Sequence, residues 1–184
     1  MKQILCFFLI SLLLFSCSGK TQISKDFDCS RDFFSSTEKI TDMKKLFSVE
    51  FPKKWKTNLY FDSGQSSIYG ADTTKQLTKS VLLDVSFIQQ SVFFDDNFKL
   101  NLEREKLSES LIRIKSKNQN FNKRESYYAL SIGKKGNYKY QVLDYFIKVN
   151  NQSFLHAKTQ VYGDSLVNER LCEAIQLIEK IKFQ

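Results

Sequence analysis

The segment from Tyr138 to Val149 restricts the fold most, because both of its faces would be apolar in a β-strand. Side chains alternate between the two faces of a strand. One face would hold Leu143, Tyr145, Ile147 and Val149, and the other Tyr138, Tyr140, Val142 and Phe146. A strand that is apolar on both sides needs packed cover on both sides of its sheet. We therefore expect a layered fold in which other elements cover both faces.

Alternating apolar residues predict six further strands. They lie at residues 46–51, 57–61, 66–69, 81–88, 127–132 and 154–162. The connections between the later strands are short enough for hairpins, so the sheet should be mostly antiparallel.

Two helices complete the prediction. The first begins at Asp96 or Asn97, is ended by residues 118–122, and carries one apolar stripe. That stripe consists of Leu100, Leu107, Leu111 and Ile114. The second helix follows Asp164 or Ser165 and is apolar on one face as far as Ile181. The predicted fold class is α+β, with a mostly antiparallel sheet flanked by helices on both faces, in one domain over residues 46–184.

The N-terminus has the features of a secretory signal. Lys2 supplies a positive charge, and the apolar run that follows is too short to span a bilayer as a helix. Leu14-Phe15-Ser16-Cys17 resembles a lipobox, the site read by the lipoprotein signal peptidase. An ordinary signal peptide that happens to end at a Cys is the alternative.

The lipobox resemblance implies a lipid anchor at Cys17. The thiol of Cys17 would carry diacylglycerol, the chain would be cleaved after residue 16, and the new amine would be acylated. Two or more acyl chains hold a protein stably on a membrane, whereas one holds it only marginally. We expect residues 1–16 to be a signal peptide and residues 17–45 a lipidated N-terminus and tether. The domain would then lie in the cell envelope, facing the periplasm.

Two cysteines remain after Cys6 leaves with the signal and Cys17 takes lipid. An oxidising envelope compartment favours a disulfide between Cys29 and Cys172, but two separate thiols are also compatible with the sequence. Nothing near either residue suggests a base that would make a catalytic thiol.

The chain is basic, with a formal net charge of +8. An exported protein rarely meets nucleic acid, so we expect no nucleic-acid partner. The basic residues form either a solvated surface or a contact with anionic lipid head groups.

A family resemblance begins at the first predicted strand. Phe47-Ser48-Val49-Glu50-Phe51-Pro52, followed closely by Trp55, is similar to the opening of PsbP/Mog1-like domains, in which a strand and a Pro precede a Trp. The later layout is also similar over residues 46–183, although Glu125-Ser126 stands where those domains often carry a glycine. The resemblance implies a PsbP/Mog1-like sandwich and a non-enzymatic binding or assembly role.

The sequence offers no set of catalytic or metal-binding residues. His156 is the only histidine, and a lone histidine lacks the partners of a typical zinc site, so we expect it to be structural. No nucleophile motif, phosphate-binding glycine loop or calcium loop is present. We therefore expect no enzyme activity, no metal and no cofactor.

Four aromatic residues form the candidate face for a ligand or partner: Trp55, Tyr60, Phe61 and Tyr69. Burial in the core is the alternative for such residues. The functional hypothesis is a non-catalytic, membrane-anchored envelope lipoprotein that binds a protein partner or aids assembly. The second hypothesis is a carrier or sensor of a small apolar or anionic ligand, held in an aromatic groove beside Lys53, Lys54 and Lys56.

Overall fold

A seven-stranded antiparallel sheet dominates the computed structural model, which describes residues 21–30 and 32–184. The predicted signal and Cys17 lie outside the described residues. In chain order the elements are α1 (Gln22–Asp26), β1 (Thr37–Thr41), β2 (Phe47–Pro52), β3 (Lys56–Phe61), β4 (Gln65–Ala71), β5 (Leu82–Ile88), α2 (Asp96–Ser108), β6 (Leu111–Phe121), β7 (Arg124–Lys135), β8 (Tyr138–Asn150), β9 (Ser153–Tyr162), α3 (Val167–Glu179) and β10 (Lys182–Phe183). A short 3₁₀ turn covers Leu77–Lys79.

The strand order of the large sheet is β3-β4-β5-β9-β8-β7-β6, and every neighbouring pair is antiparallel. A second, three-stranded sheet has the order β1-β2-β10 and is also antiparallel. The expected, mostly antiparallel sheet is confirmed. Strand β8 lies inside the large sheet, and most of its residues from Tyr140 to Ile147 are buried.

The two sheets approach each other closely at Gly70. A Cβ atom at this position would overlap the ring of Phe51 in β2. Strand β4 therefore needs a residue without a side chain where β2 crosses it. Phe47, Val49 and Phe51 of β2 are fully buried at this contact.

Alternate residues of the large sheet belong to different apolar clusters. The larger cluster includes Tyr128 and Tyr145 together with the apolar side chains of α3 and β2. The smaller cluster includes Tyr127 and Phe146 together with Leu102 of α2. Tyr127 and Tyr128 are consecutive in β7, so their side chains leave opposite faces of the strand.

The segment before Leu46 is part of the folded domain, so the expected domain boundary at Leu46 is wrong for the described residues. Helix α1 packs on α3 and buries Ile23, and β1 pairs with β2 along its whole length. The segment holds few apolar residues, of which Ile23 and Phe27 are buried and Phe33, Phe34 and Ile40 are partly buried against the larger apolar cluster. Residues 21–30 and 32–45 are therefore part of the domain rather than a tether.

The predicted first helix is too long. Helix α2 ends at Ser108, and the chain enters β6 at Leu111 after Ser110 adopts a positive φ of 61°. Leu100, Leu107 and Ile114 of the predicted buried stripe are 44%, 55% and 54% exposed. Edge strand β6 is mostly exposed, and its few apolar residues are spaced as they would be along one face of a helix. This spacing led to the prediction of a helix where the chain forms a strand.

Within the part of the chain that the structure describes, no helix combines the length and apolarity needed to cross a bilayer.

Candidate functional site

Strand β3 forms one edge of the large sheet and is exposed along most of its length. Its apolar residues Leu59, Tyr60 and Phe61 are 38%, 58% and 61% exposed. One side of the strand pairs with β4, and its other side has no neighbouring strand among residues 21–30 and 32–184. An edge strand of this kind presents backbone N–H and C=O groups to which another chain can pair. We call Leu59, Tyr60 and Phe61 the β3 edge.

The four predicted aromatic residues do not form one face. Tyr60 and Tyr69 lie on the same face of neighbouring strands, since Tyr60 pairs with Ser67 and Tyr69 with Asn58. Phe61 points to the opposite face of β3. Trp55 is only 6% exposed and packs against Phe34 and Phe51, with ring centroids at 6.1 and 5.9 Å.

Trp55 is therefore a core residue, and its place in the predicted face is corrected. It precedes β3 at a turn where its N–H donates to the carbonyl of Pro52 at 2.9 Å, and the crossing of β2 over the sheet provides a pocket for its ring. One side of Trp55 also lines an open cleft of about 460 Å³ with Lys53 and Lys54.

The opposite edge strand, β6, is protected by charge. Arg113, Lys115 and Lys117 project from it, and Lys117 forms an ion pair with Asp26 of α1 at 2.9 Å. The main chain of Asp26 also accepts a hydrogen bond from Lys115. Charged side chains, lysine above all, discourage the addition of further strands to a sheet edge. The two edges of the sheet thus differ in charge, because Leu59–Phe61 of β3 carries no charged side chain, whereas the exposed Ile112 and Ile114 of β6 stand among basic residues.

A polar network lies in the sheet beside the β3 edge. Gln65 donates to the hydroxyls of Ser67 and Ser86 at 2.7 and 3.0 Å, and these two hydroxyls are 2.9 Å apart. The pairing register places Tyr60, Ser67, Ser86 and His156 in one row across four strands. This row connects the β3 edge to a charged cluster in the middle of the sheet.

The charged cluster consists of Lys106, Asp144 and His156. One carboxylate oxygen of Asp144 lies 2.8 Å from Nε2 of His156, and the other lies 3.1 Å from Nζ of Lys106. The side chain of Asp144 is 0% exposed and that of Lys106 is 2% exposed. Helix α2 supplies the lysine, and neighbouring strands β8 and β9 supply the other two residues.

Both charges of the buried pair are held in their ionised forms. Burial by itself would raise the pKa of Asp144, but the hydrogen bond from His156 and the charge of Lys106 outweigh it and lower the pKa. Burial would likewise lower the pKa of Lys106, but the charge of Asp144 outweighs it and raises the pKa. Because Asp144 is an anion, Nε2 of His156 is the donor in their hydrogen bond.

The cluster lacks the parts of a nucleophilic catalyst. The His156 ring stacks on Phe146 with centroids 4.3 Å apart, and no hydroxyl or thiol in the described part of the chain hydrogen-bonds to it. The ion pair between Lys106 and Asp144 joins α2 to the sheet. This role of Lys106 was not predicted from the sequence, because a lysine on a helix is usually exposed to solvent. Asp144, a carboxylate inside an otherwise apolar strand, was the signal that a buried cation had to be nearby.

Cys29 and Cys172 form a disulfide in the structure, with their Cα atoms 5.4 Å apart and a separation of 143 positions in sequence. Both residues are buried. The bond ties the segment after α1 to the middle of α3.

A second polar contact holds α1 against the sheet. The hydroxyl of Tyr128 donates to Asp26 at 3.0 Å, and Lys117 pairs with the same carboxylate. Burial tends to raise the pKa of Asp26, but the hydrogen bonds from Lys117, Gln22 and Tyr128 dominate and lower it. Burial and the bond to Asp26 together raise the pKa of Tyr128.

In the ranges 21–30 and 32–184, no group of three or more His, Cys, Asp or Glu residues has an arrangement suited to a metal ion.

Comparison with known proteins supports an assignment of the fold but not of a function. The chain is similar to the solution structure of cyanobacterial PsbP (CyanoP) from Synechocystis sp. PCC 6803, with a TM-score of 0.62 and 9% identity, over 85% of this chain and 97% of that chain. It is also similar to a point mutant of the protein Mog1, with a TM-score of 0.54 and 6% identity, over 80% of this chain and 96% of that chain. No family model and no curated protein sequence matches the chain.

The domain therefore has a PsbP/Mog1-like fold, as the resemblance of its opening strand implied. At identities this low the likeness concerns the fold alone, and a shared fold does not transfer a function.

Proposed function

We propose that this chain is a non-catalytic lipoprotein of the cell envelope, anchored through acylated Cys17, whose folded domain binds a partner protein at the β3 edge. The observation that carries the proposal is the contrast between the two edges of the sheet. The β3 edge has three consecutive exposed apolar residues without a charge, whereas the exposed apolar residues of β6 alternate with basic residues, two of which contact α1. Partner proteins commonly add an extended segment to such an open edge, with backbone bonds for affinity and side-chain contacts for specificity.

The partner segment should be extended and should carry apolar side chains on both of its faces. Tyr60 lies on one face of β3, and Leu59 and Phe61 lie on the other. A segment paired to β3 would place alternate side chains against each of these groups. Aromatic residues such as Tyr60 contribute large contact areas at binding surfaces.

The distance between the lipid and α1 supports an orientation for the domain. Only residues 18–20 separate Cys17 from Thr21, which caps α1. A fully extended chain over this interval spans at most about 14 Å. The lipid would therefore hold α1 and the β6 edge near the membrane, where Lys25, Lys115 and Lys117 would attract anionic head groups.

The β3 edge would then lie on the side of the domain away from the anchor. Six inter-strand spacings separate β3 from β6, which corresponds to about 29 Å across the sheet. An envelope partner could reach the β3 edge without displacing the anchor.

We further propose that helices α2 and α3 cover opposite faces of the large sheet. The packing of α2 with Tyr127 and of α3 with Tyr128 supports this arrangement. Covered faces would leave the edges of the large sheet, β3 among them, as the places where a further strand can be added.

The alternative function, a carrier or sensor of a small ligand, is supported by a single observation. The cleft beside Trp55, Lys53 and Lys54 has the volume of a small-molecule site. Tyr60, Phe61 and Tyr69 do not line it, so the aromatic groove on which the alternative depended is incomplete.

Site-specific photocrosslinking in intact cells tests the proposal. The full-length protein would carry a photoreactive phenylalanine analogue at Phe61 or, as a matched control, at Ile112 on the β6 edge. The two side chains are 61% and 64% exposed. We expect one discrete heteromeric adduct from position 61 and no such adduct from position 112.

A second pair of variants makes the test specific for strand addition. Tyr60→Lys places a charge on the β3 edge and should abolish the adduct from position 61, whereas Ile112→Lys should leave it unchanged. The same adducts from both positions would contradict the proposal. An adduct of twice the protein's own mass would replace the partner with a second copy of the chain.

A further inference from the structure

Three lysines lie at the start of strand β3, ahead of the β3 edge. Lys53 and Lys54 belong to the turn that precedes β3, and Lys56 is the first residue of the strand. All three side chains are exposed, whereas Trp55 between them is buried and holds this turn against the core. We call Lys53, Lys54 and Lys56 the lysine cluster. A strand added to β3 would bring one of its ends to these charges.

The acids near the lysine cluster do not neutralise it. Asp72 follows the residue that pairs with the start of β3, and Glu173 lines a cleft that part of the cluster also lines. Lys75 lies 3.4 Å from a carboxylate oxygen of Asp72 and 3.9 Å from one of Glu173, so it offsets part of their charge. Strand β1 adds Glu38 and Lys39, whose charges cancel. Among the described residues around this end of β3, five lysines thus stand against three acids, which leaves two positive charges in excess.

The other end of β3 has no such excess. Asp62 follows the strand directly, and the turn between β1 and β2 brings Lys44 and Lys45 to this end. Nζ of Lys44 donates to the carbonyl oxygen of Ser63 at 3.2 Å. The same turn carries Asp42, so two lysines stand against two aspartates and their charges balance. The positive charge beside the β3 edge is therefore concentrated at the start of the strand.

The lysine cluster restricts which strands can pair with β3. A lysine beside an open edge discourages a neutral or basic strand. An acidic side chain opposite the lysine turns the same charge into an attraction, because cross-strand neighbours of opposite charge stabilise a pair of strands. A second copy of β3 gains no such attraction. In parallel pairing the two lysine clusters would meet, and in antiparallel pairing each cluster would meet the balanced end of the other copy.

We propose that the partner of the β3 edge is an extended protein segment whose apolar residues lie against Leu59–Phe61 and whose Asp or Glu residues lie against the lysine cluster. This inference rests on the proposed function, because it requires a partner at the β3 edge. The apolar residues provide contact area, and the acids determine which segments can approach. Complementary charge also speeds the encounter of two proteins and disfavours wrong partners.

Photocrosslinking from position 61 of the full-length protein in intact cells tests this inference when the charge of the lysine cluster is varied. Lys54→Glu/Lys56→Glu should reduce the yield of the heteromeric adduct at least about tenfold at equal protein level, because like charges then face each other. Lys54→Arg/Lys56→Arg keeps the charge and should retain the adduct. Lys123→Glu/Lys134→Glu makes the same change in net charge at exposed positions of the β6–β7 hairpin, and it should also retain the adduct.

A neutral variant and a folding control separate loss of charge from loss of the fold. Lys54→Gln/Lys56→Gln should give a yield between those of the wild type and the Glu variant. The melting temperatures of all purified variants, followed by circular dichroism, should stay close to that of the wild type because the substituted side chains are exposed.

The outcomes distinguish a failure of this inference from a failure of the proposed function. A wild-type yield in the Glu variant, or an equal loss in the Glu and Arg variants, would overturn the acidic partner and leave a partner at the β3 edge standing. An otherwise wild-type chain that gives no heteromeric adduct from position 61 would overturn the proposed function and this inference with it. An adduct of two copies of the chain would likewise exclude an acidic partner.

Discussion

Replacing Lys106 by Met should destabilise the domain strongly and in a pH-dependent way. Nζ of Lys106 lies 3.1 Å from a carboxylate that is 0% exposed. The substitution leaves Asp144 as a buried anion with His156 as its remaining partner. Breaking a buried ion pair by removing one partner costs about 3–5 kcal/mol. We expect a loss of this size in the free energy of unfolding at about pH 7, where Asp144 is ionised.

The pH dependence follows from Asp144 itself. Without the charge of Lys106, one of the interactions that lower the pKa of Asp144 is lost, while burial still opposes its ionised form. As the pH falls toward the ordinary carboxyl pKa of 3.8, a proton neutralises the carboxylate and removes this cost. The deficit of Lys106→Met relative to the wild type should therefore shrink as the pH falls.

The wild type should behave differently at the extremes of pH. The lowered pKa of Asp144 contributes stability that is present above the ordinary carboxyl pKa of 3.8 and is lost as the pH falls through the folded-state value. The raised pKa of Lys106 contributes stability that is present below the ordinary lysine pKa of 10.5 and is lost at higher pH. The pair should stabilise the domain throughout the interval between these two values.

Urea denaturation of the disulfide-intact protein, followed by circular dichroism at several pH values, measures these effects. Lys99→Met is a matched control on the same helix, because Lys99 pairs with the fully exposed Asp96 at 3.5 Å. Such an exposed pair is worth about 0–1 kcal/mol. A cost for Lys106→Met that equals the control, or that does not change with pH, would refute the reasoning about the cluster.

Three further predictions concern packing and cross-linking. The double variant Cys29→Ser/Cys172→Ser should lose up to about 5 kcal/mol of the free energy of unfolding, which is the chain-entropy value for a cross-link over a sequence separation of 143. An unchanged melting temperature in differential scanning calorimetry would contradict this prediction. Gly70→Ala should cost about 1–3 kcal/mol, because its new methyl group overlaps Phe51, and equal urea midpoints for variant and wild type would exclude that close contact. Tyr128→Phe removes a hydrogen bond to the charged Asp26 and should lower the free energy of unfolding by about 1.5–3 kcal/mol. Hydrogen exchange should show faster exchange of the α1 amides, and unchanged exchange would contradict the prediction.

The predictable parts of the fold were those with a regular apolar period. Strands β7, β8 and β9 and helix α3 each bury a face whose spacing is visible in the sequence, so their positions were predicted closely. Strand β6 was missed because an edge strand with mostly exposed residues has no such pattern. Helix α1 and strand β1 were missed because they are short and depend on tertiary contacts for their stability.

The candidate sites were harder to predict than the fold. Lys106 is a charged residue in a helix, where solvent exposure is the usual expectation, yet it is almost completely buried. Its burial depends on what the neighbouring strands offer, and sequence spacing does not contain that information. The exposed part of the β3 edge was found from its aromatic residues, whereas Trp55, of the same residue class, belongs to the core.

The claim on which the proposed function depends is the lipid at Cys17, and intact-mass spectrometry of the native protein extracted from membranes tests it most directly. The account predicts a chain that begins at Cys17 and carries the added mass of diacylglycerol and a further acyl group. A chain that still begins at Met1, or one cleaved near residue 17 without any acyl mass, would contradict it.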